Sequence, residues 1–220
     1  MRVLIACEES QAVCKAFREK GHSAFSCDIQ DCSGGHPEWH IKGDVLPILN
    51  GNCTFKTCNG TEWHIDGRWD LIIAHPPCTY MSNAGACRMY PRKNQIDADR
   101  LQKGMEAKAF FMKFYEADCD RICIENPLPL KVIELPKESQ TIHPYMFGEP
   151  FSKRTLLWLK GLPNLIPTDI CEDYKPYLPS GTSRNAGTDY NKGTASGSKK
   201  RSKTFEGIAK AMAEQWGKFI

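Results

Sequence analysis

Residues 69–82 read WDLIIAHPPCTYMS: an apolar run that stops at two prolines and then presents a cysteine. The run Leu71–Ala74 has no polar alternation, so it reads as a strand covered on both faces, the kind found in parallel sheets. Neither Pro76 nor Pro77 can donate to a ladder, so the strand must end there. Their fixed φ angles stiffen the exit. A stiff exit is a good mount for a reactive group, and the polar flank TYMSN gives Cys78 the setting a thiolate needs. His75 and Arg154 are basic residues that could assist it. The alternative is a structural cysteine behind a Pro-Pro turn, since a free thiol often behaves as a small buried hydrophobe.

The sequence around this strand repeats the theme. RVLIA at Arg2–Ala6 is another apolar run. A helix should follow, with Ser10 as its cap, Val13, Cys14 and Phe17 on one face, and Gly21 at its stop. SAFSCDI predicts the next strand, ending in Asp28, and HIKGDV brings Asp44 to a further strand end. Strand, helix and strand with a short return begin a parallel α/β sheet. Asn59-Gly60, between two β-prone runs, predicts a hairpin inserted at residues 51–67. Residues 79–97 read as irregular and carry Arg88, Arg92 and Lys93. DADRLQKGMEAKAFFMKFYEA predicts a long helix with Leu101, Met105, Met112 and Tyr115 on its core stripe. RICIEN reads as a strand ending at Glu125, and TLLWL as a later strand. The chain closes with an amphipathic helix capped by Thr204, its stripe formed by Phe205, Ile208, Met212, Trp216 and Phe219.

The 220 residues suffice for one domain with a real core. No apolar run is long enough for a membrane span. MRVLIACEES turns acidic too soon for a secretory signal, which predicts a protein that stays in the cytoplasm of its cell or host. Reduced thiols are then the expectation for its 11 cysteines. Cys27, Cys32, His36 and His40 crowd together, as do Cys53, Cys58 and His64, but neither group shows the paired spacing of a zinc site, so no metal is expected. Net charge is +3, and residues 184–203 hold six basic residues against the single acidic Asp189. Residues 176–203, rich in Gly, Ser and Thr, therefore read as a basic flexible loop, a plain solvated linker or a phosphate contact.

Three strands end in acidic residues, Asp28, Asp44 and Glu125, and a fourth ends in Pro-Pro-Cys. Ligands of open parallel sheets sit outside the carboxyl ends of the strands, so these four positions should line one crevice. Each acidic residue alone could be a turn former. Glu125, stopped by Pro127, could pair with a ring N–H and an exocyclic amine, the donor edge of a protonated cytosine.

Taken in order, Asp28, Asp44, Pro77-Cys78, Glu125-Asn126, Lys153-Arg154 and the final helix resemble the DNA cytosine-specific (carbon-5) methyltransferases. HPPCTY with IENP is similar, more narrowly, to small methyltransferase-like proteins often encoded by bacteriophages. The resemblance implies a Rossmann-like, S-adenosylmethionine-dependent methyltransferase fold in a single domain over residues 1–220, a mostly parallel sheet with helices on both faces. It implies that Cys78 is the nucleophile, that Glu125 binds and protonates the base, and that Arg154 supports the flipped base. Asp28 would hold the cofactor ribose and Asp44 its adenine, with Cys7, Glu8, Glu9, Ile29, Val45, His75 and Pro77 completing the cofactor set. Pro76, Thr79, Ser82, Asn83, Asn126, Pro127 and Lys153 would meet the DNA substrate. The family's glycine-rich first loop is replaced here by ACEESQAV, where a carboxylate could pair with the methionine ammonium. About forty residues stand where the family carries a target-recognition domain.

The implied reaction is attack by Cys78 on carbon-6 of cytosine, methylation of carbon-5 and expulsion of the thiol. Three rivals stand beside it. Amino methyltransferases share the Pro-Pro but need no thiol, a degenerate methyltransferase fold would bind nucleic acid without chemistry, and a free nucleotide could be the acceptor.

Overall fold

The computed structural model describes residues 1–93, 95–177 and 202–218. Seven strands form one sheet: β1 (Arg2–Ala6), β2 (Ser23–Asp28), β3 (His40–Lys42), β6 (Leu71–Ala74), β7 (Ile122–Pro127), β8 (Gln140–Ile142) and β10 (Thr155–Lys160). Their order is β3-β2-β1-β6-β7-β10-β8. The first five are parallel, and β10 runs antiparallel to both β7 and β8. The fold is thus α/β with a mixed, largely parallel sheet. The chain moves outward from β1 to β3 and then returns to the other side of β1 as β6. That reversal falls at the carboxyl ends of β1 and β6, the place where open parallel sheets bind ligands.

Alternation along the strands feeds two cores. Leu4, Phe25, Ile72, Ile124, Leu156 and Trp158 face α3 (Ala98–Tyr115). Val3, Ile5, Leu71, Ile73, Cys123 and Leu157 face α1 (Ala12–Glu19) and α4 (Glu206–Trp216). Helices therefore cover both faces, which is why the central strands read as continuous apolar runs. β4 (Cys53–Lys56) and β5 (Glu62–Ile65) make a separate antiparallel pair that packs Phe55 and Ile65 into the first core. β9 (Phe151–Ser152) and β11 (Lys175–Pro176) form a second small pair, and α2 (Ala86–Met89) is a single turn.

Three local expectations differ from the structure. The buried residues of α3 are Gly104, Phe111 and Phe114, whereas Met105 and Tyr115 are exposed. Phe111 sets the rotation by packing edge-on against Trp158 at 5.1 Å. Gly104 lets the helix approach closely, since a Cβ there would lie 2.6 Å from Ile133 Cδ1. At the last helix the cap position is Phe205, not Thr204, and no side chain caps it. Phe205 instead packs against Phe151 and Tyr177. Phe219, and the basic stretch from residue 178 to 201, lie outside the described residues.

The third difference is at α1, where Ser10 does not cap. Glu8 does, accepting the Val13 N–H at 2.7 Å and the Cys14 N–H at 3.2 Å. The turn is made without glycine: Cys7 and Gln11 take φ values of 59° and 58°, the left-handed region that side chains rarely adopt. Burial pushes the Glu8 carboxyl up, opposed by His75 and by the two helix N–H groups. A group that holds its proton more tightly when folded contributes stability at low pH and loses it as pH rises through its folded value. Glu8→Ala is expected to cost about 1–3 kcal/mol from the lost bonds. Glu8→Gln keeps an acceptor and should gain stability relative to wild type between pH 4 and 7. Thermal denaturation of both variants across that range checks the sign.

Candidate active site

Because five strands run parallel, Asp28, the Asp44 turn, Cys78 and Glu125 all arrive at one edge of the sheet. The edge divides into two halves, one on each side of the reversal.

The first half is acidic. Asp28 ends β2 and accepts the Gln30 N–H at 2.9 Å, and Asp44 accepts the Leu46 N–H at 3.0 Å. Each uses one carboxylate oxygen to close its turn and keeps a second. The Asp28 carbonyl takes the Gly43 N–H at 2.9 Å, which ties the two turns together. Burial, followed by the charges of Asp28 and Asp44, pushes the Cys27 thiol up to about 12. Cys7 is raised further by burial, with Asp28, Cys27 and Asp44 adding to it. Both shifts disfavour the thiolate form. Glu9 is buried and its Oε2 meets no partner among the described residues. Ile29 is 76% exposed beside Asp28, an apolar surface at a polar rim, while Val45 is buried beneath Asp44.

The second half carries the Pro-Pro-Cys and Glu-Asn segments, which are held side by side. Asn126 donates from Nδ2 to the Pro76 carbonyl at 3.0 Å, and its Oδ1 is buried without a partner among the described residues. Past the strands the two exits stay stapled: Asn83 N–H to Leu128 O at 2.8 Å, Leu130 N–H to Met81 O at 2.7 Å, and a bridge between Ser82 and Pro129. Cys78 is partly buried. Its carbonyl accepts the Met81 and Ser82 N–H groups at 3.0 and 2.9 Å, so the thiol sits on a closed turn. Pro76 is buried, Pro77 and Thr79 are exposed, and Arg100 Nη2 donates to the Thr79 carbonyl at 2.8 Å.

Glu125 lies beside His75, with Oε2 3.4 Å from Nδ1 and side-chain exposures of 17% and 9%. Burial pushes the Glu125 carboxyl up, but the His75 hydrogen bond and the charges of Lys153 and His75 outweigh it and hold the group below the usual carboxylate range. Sequence reasoning put His75 with the cofactor set; the structure places it beside the Glu125 carboxylate, a pairing for which its position directly before Pro-Pro was the available signal.

Lys153, not Arg154, acts on Glu125. Register explains this: Leu157 pairs with Glu125 and Thr155 with Pro127, so Lys153 shares their side and Arg154 points from the other. Arg154 is exposed and its nearest carboxylate is Glu138 at 3.9 Å.

The crowded cysteines and histidines go separate ways. Cys32 donates to Gln11 Oε1, His36 pairs with Glu38, and His40 is buried against Ser26. Among the described residues no three His, Cys, Asp or Glu side chains are placed to hold a metal. None of the described helices is long and apolar enough to cross a membrane.

An α/β protein whose sheet reverses at a rim that is acidic on one side and carries a thiol, a carboxylate and an imidazole on the other is the class this geometry defines. No protein-family model matches the chain, and no curated protein matches it in sequence. Among solved structures it is similar to a mutant of DNMT2 from Spodoptera frugiperda, with TM-score 0.35 and 15% identity, over 81% of this chain and 55% of that one. The chain therefore spans little more than half of that structure. So slight an overlap carries neither fold nor chemistry, both of which rest on the topology and side chains above.

Proposed function

We propose that the chain is an S-adenosylmethionine-dependent methyltransferase acting on carbon-5 of cytosine in DNA through a covalent adduct of Cys78. The observation that carries this reading is the joining of the two segments: Asn126 bonded to Pro76 at 3.0 Å, and Glu125 against His75, on a rim where Cys78 stands on a closed turn.

The acidic half fits the cofactor. A dinucleotide would set its phosphates at the α1 N-terminus. Here Glu8 already takes the Val13 and Cys14 N–H groups that a phosphate would need. Glu9, Asp28 and Asp44 suit a ligand that is cationic and phosphate-free. S-adenosylmethionine has an ammonium, a sulfonium and two ribose hydroxyls. Glu9 would take the ammonium, Asp28 the ribose, Asp44 the adenine amine, and Ile29 would lie under the ring. Bound there, the cofactor supplies an electrophilic methyl group.

The chain's own groups do the rest. The Cys78 thiolate adds to carbon-6, which breaks the aromatic sextet and makes carbon-5 nucleophilic. Glu125, held ionised, accepts from the exocyclic amine and from a protonated ring N3 as charge develops. Lys153 lies on the same side and balances the site's charge. Leaving the duplex costs the base a few kcal/mol, to be met by residues 79–93 and by the basic stretch that would stand in for a recognition domain. Residues 1–220 would then be a single methyltransferase-like domain carrying the β4–β5 hairpin as an insert.

The test is transfer of labelled methyl from S-adenosylmethionine to DNA, with nucleoside analysis of the product. Label in 5-methylcytosine supports the reading. Label in N4-methylcytosine or N6-methyladenine, label on free nucleotide alone, or no label at all contradicts it.

A further inference from the structure

His75 occupies a place that the cytosine-methylation reading leaves without a task. It follows the last buried position of β6, and its backbone N–H is tied to the Ala6 carbonyl at 2.9 Å. The ring is therefore drawn into the rim between β1 and β7. Nδ1 faces Glu125 Oε2, and Nε2 is buried without a donor or acceptor among the described residues. A charge on the ring would act on two carboxylates at once, Glu125 and Glu8. With Lys153, which acts on Glu125, these groups form a chain of electrostatic neighbours: Glu8, His75, Glu125, Lys153. Cys123, the other titratable group on β7 near Glu125, is kept protonated by burial, with Glu125 adding to it, and so stays outside the exchange.

We propose that His75 is the positioning residue of the site: it holds Glu125 toward the bound pyrimidine and stores the proton that Glu125 passes to the ring. The proposal rests on the reading of the chain as a cytosine carbon-5 methyltransferase. As the Cys78 sulfur forms its bond to carbon-6, the electron pair of the 5,6 double bond is displaced into the ring toward N3. One proton leaves Nδ1 of the imidazolium for Glu125, and Glu125 delivers one proton to N3. The imidazole becomes neutral, the base carries no net charge, and the negative charge brought by the thiolate is cancelled. When Cys78 leaves as thiolate, the same proton returns from N3 to His75. Carbon-5 gains the methyl group and loses its own proton to water as the sulfur–carbon-6 bond breaks, while His75 starts and ends each turnover in the same state.

His75→Gln separates this from a structural role, because glutamine can still donate a hydrogen bond to Glu125 but carries no exchangeable charge. Two readouts decide. In the free protein, carbon-13 NMR of the Glu125 carboxyl should show titration at a higher pH in the variant than in wild type. In turnover, kcat of the variant should fall by about 10²-fold. KM for DNA and for S-adenosylmethionine should change less than about threefold, as expected when a group acts in the transition state alone. A Glu125 titration that does not move overturns the positioning role, whatever the activity. A kcat that falls by less than about tenfold in the variant overturns the proton store. A wild-type protein that methylates no cytosine overturns the reaction reading and the proton store together, with the NMR titration still deciding the pair.

Discussion

Cys78→Ala is expected to reduce methyl transfer by at least about 10³-fold, the scale seen when a covalent nucleophile is removed. Carbon-5 of an aromatic cytosine has almost no nucleophilic character, and the sulfur–carbon-6 bond is what creates it. Cys7 and Cys27 are poor substitutes, since they lie in the acidic half with their thiols pushed far up by burial. Loss of activity would not reflect loss of structure. The turn is closed by the Cys78 carbonyl, which accepts from Met81 and Ser82, and alanine keeps that carbonyl. The change in stability should therefore stay within about 1 kcal/mol, and calorimetric binding of S-adenosylmethionine should be unaltered. An amino methyltransferase would retain its rate in this variant, so rate and product analysis together separate the two chemistries.

Glu125→Gln is the second large effect, with an expected loss of about 10²–10⁴-fold in kcat/KM. The amide presents an N–H where the base needs an acceptor and strips His75 of its anionic partner at 3.4 Å. Cofactor affinity should survive, because Glu125 belongs to β7 and the acidic half to β1, β2 and β3. Stability gives an independent sign. A carboxyl held below its usual range contributes stability above the ordinary carboxylate value, and that contribution is lost as pH falls through the folded value. The stability difference between wild type and variant should therefore shift in favour of the variant on acidification below about pH 4.5. Denaturation at pH 3 and pH 7 measures it.

Much of the architecture is written in short apolar runs. Arg2–Ala6, Leu71–Ala74 and Ile122–Pro127 are covered on both faces, and a strand with no polar alternation has few other places to go. β3, β8, β9 and β11 have two or three residues each, and their pairing is decided by neighbours far along the chain. The α3 stripe was misplaced because Met105 and Phe111 are equally apolar in sequence, and only Trp158 across the interface settles which one turns inward. The candidate site divides the same way. Cys78, Glu125 and Asp28 were legible because strand ends in a parallel sheet converge by geometry. Lys153 and Arg154 are adjacent in sequence but fall on opposite sides of β10, and the antiparallel register with β7 chooses between them. Glu8 as a helix cap was hidden because capping patterns favour short side chains, whereas here a left-handed Cys7 and Gln11 bring a longer carboxylate onto the helix end.

The most direct measurement is incubation of the protein with S-adenosylmethionine and DNA carrying 5-fluorocytosine, where the fluorine cannot leave carbon-5. A band resistant to denaturant should form, the cross-linked peptide should contain Cys78, and the Cys78→Ala protein should give none. Methyl transfer to ordinary DNA with no trapped species, or a cross-link mapped to another cysteine, would contradict the covalent role of this thiol.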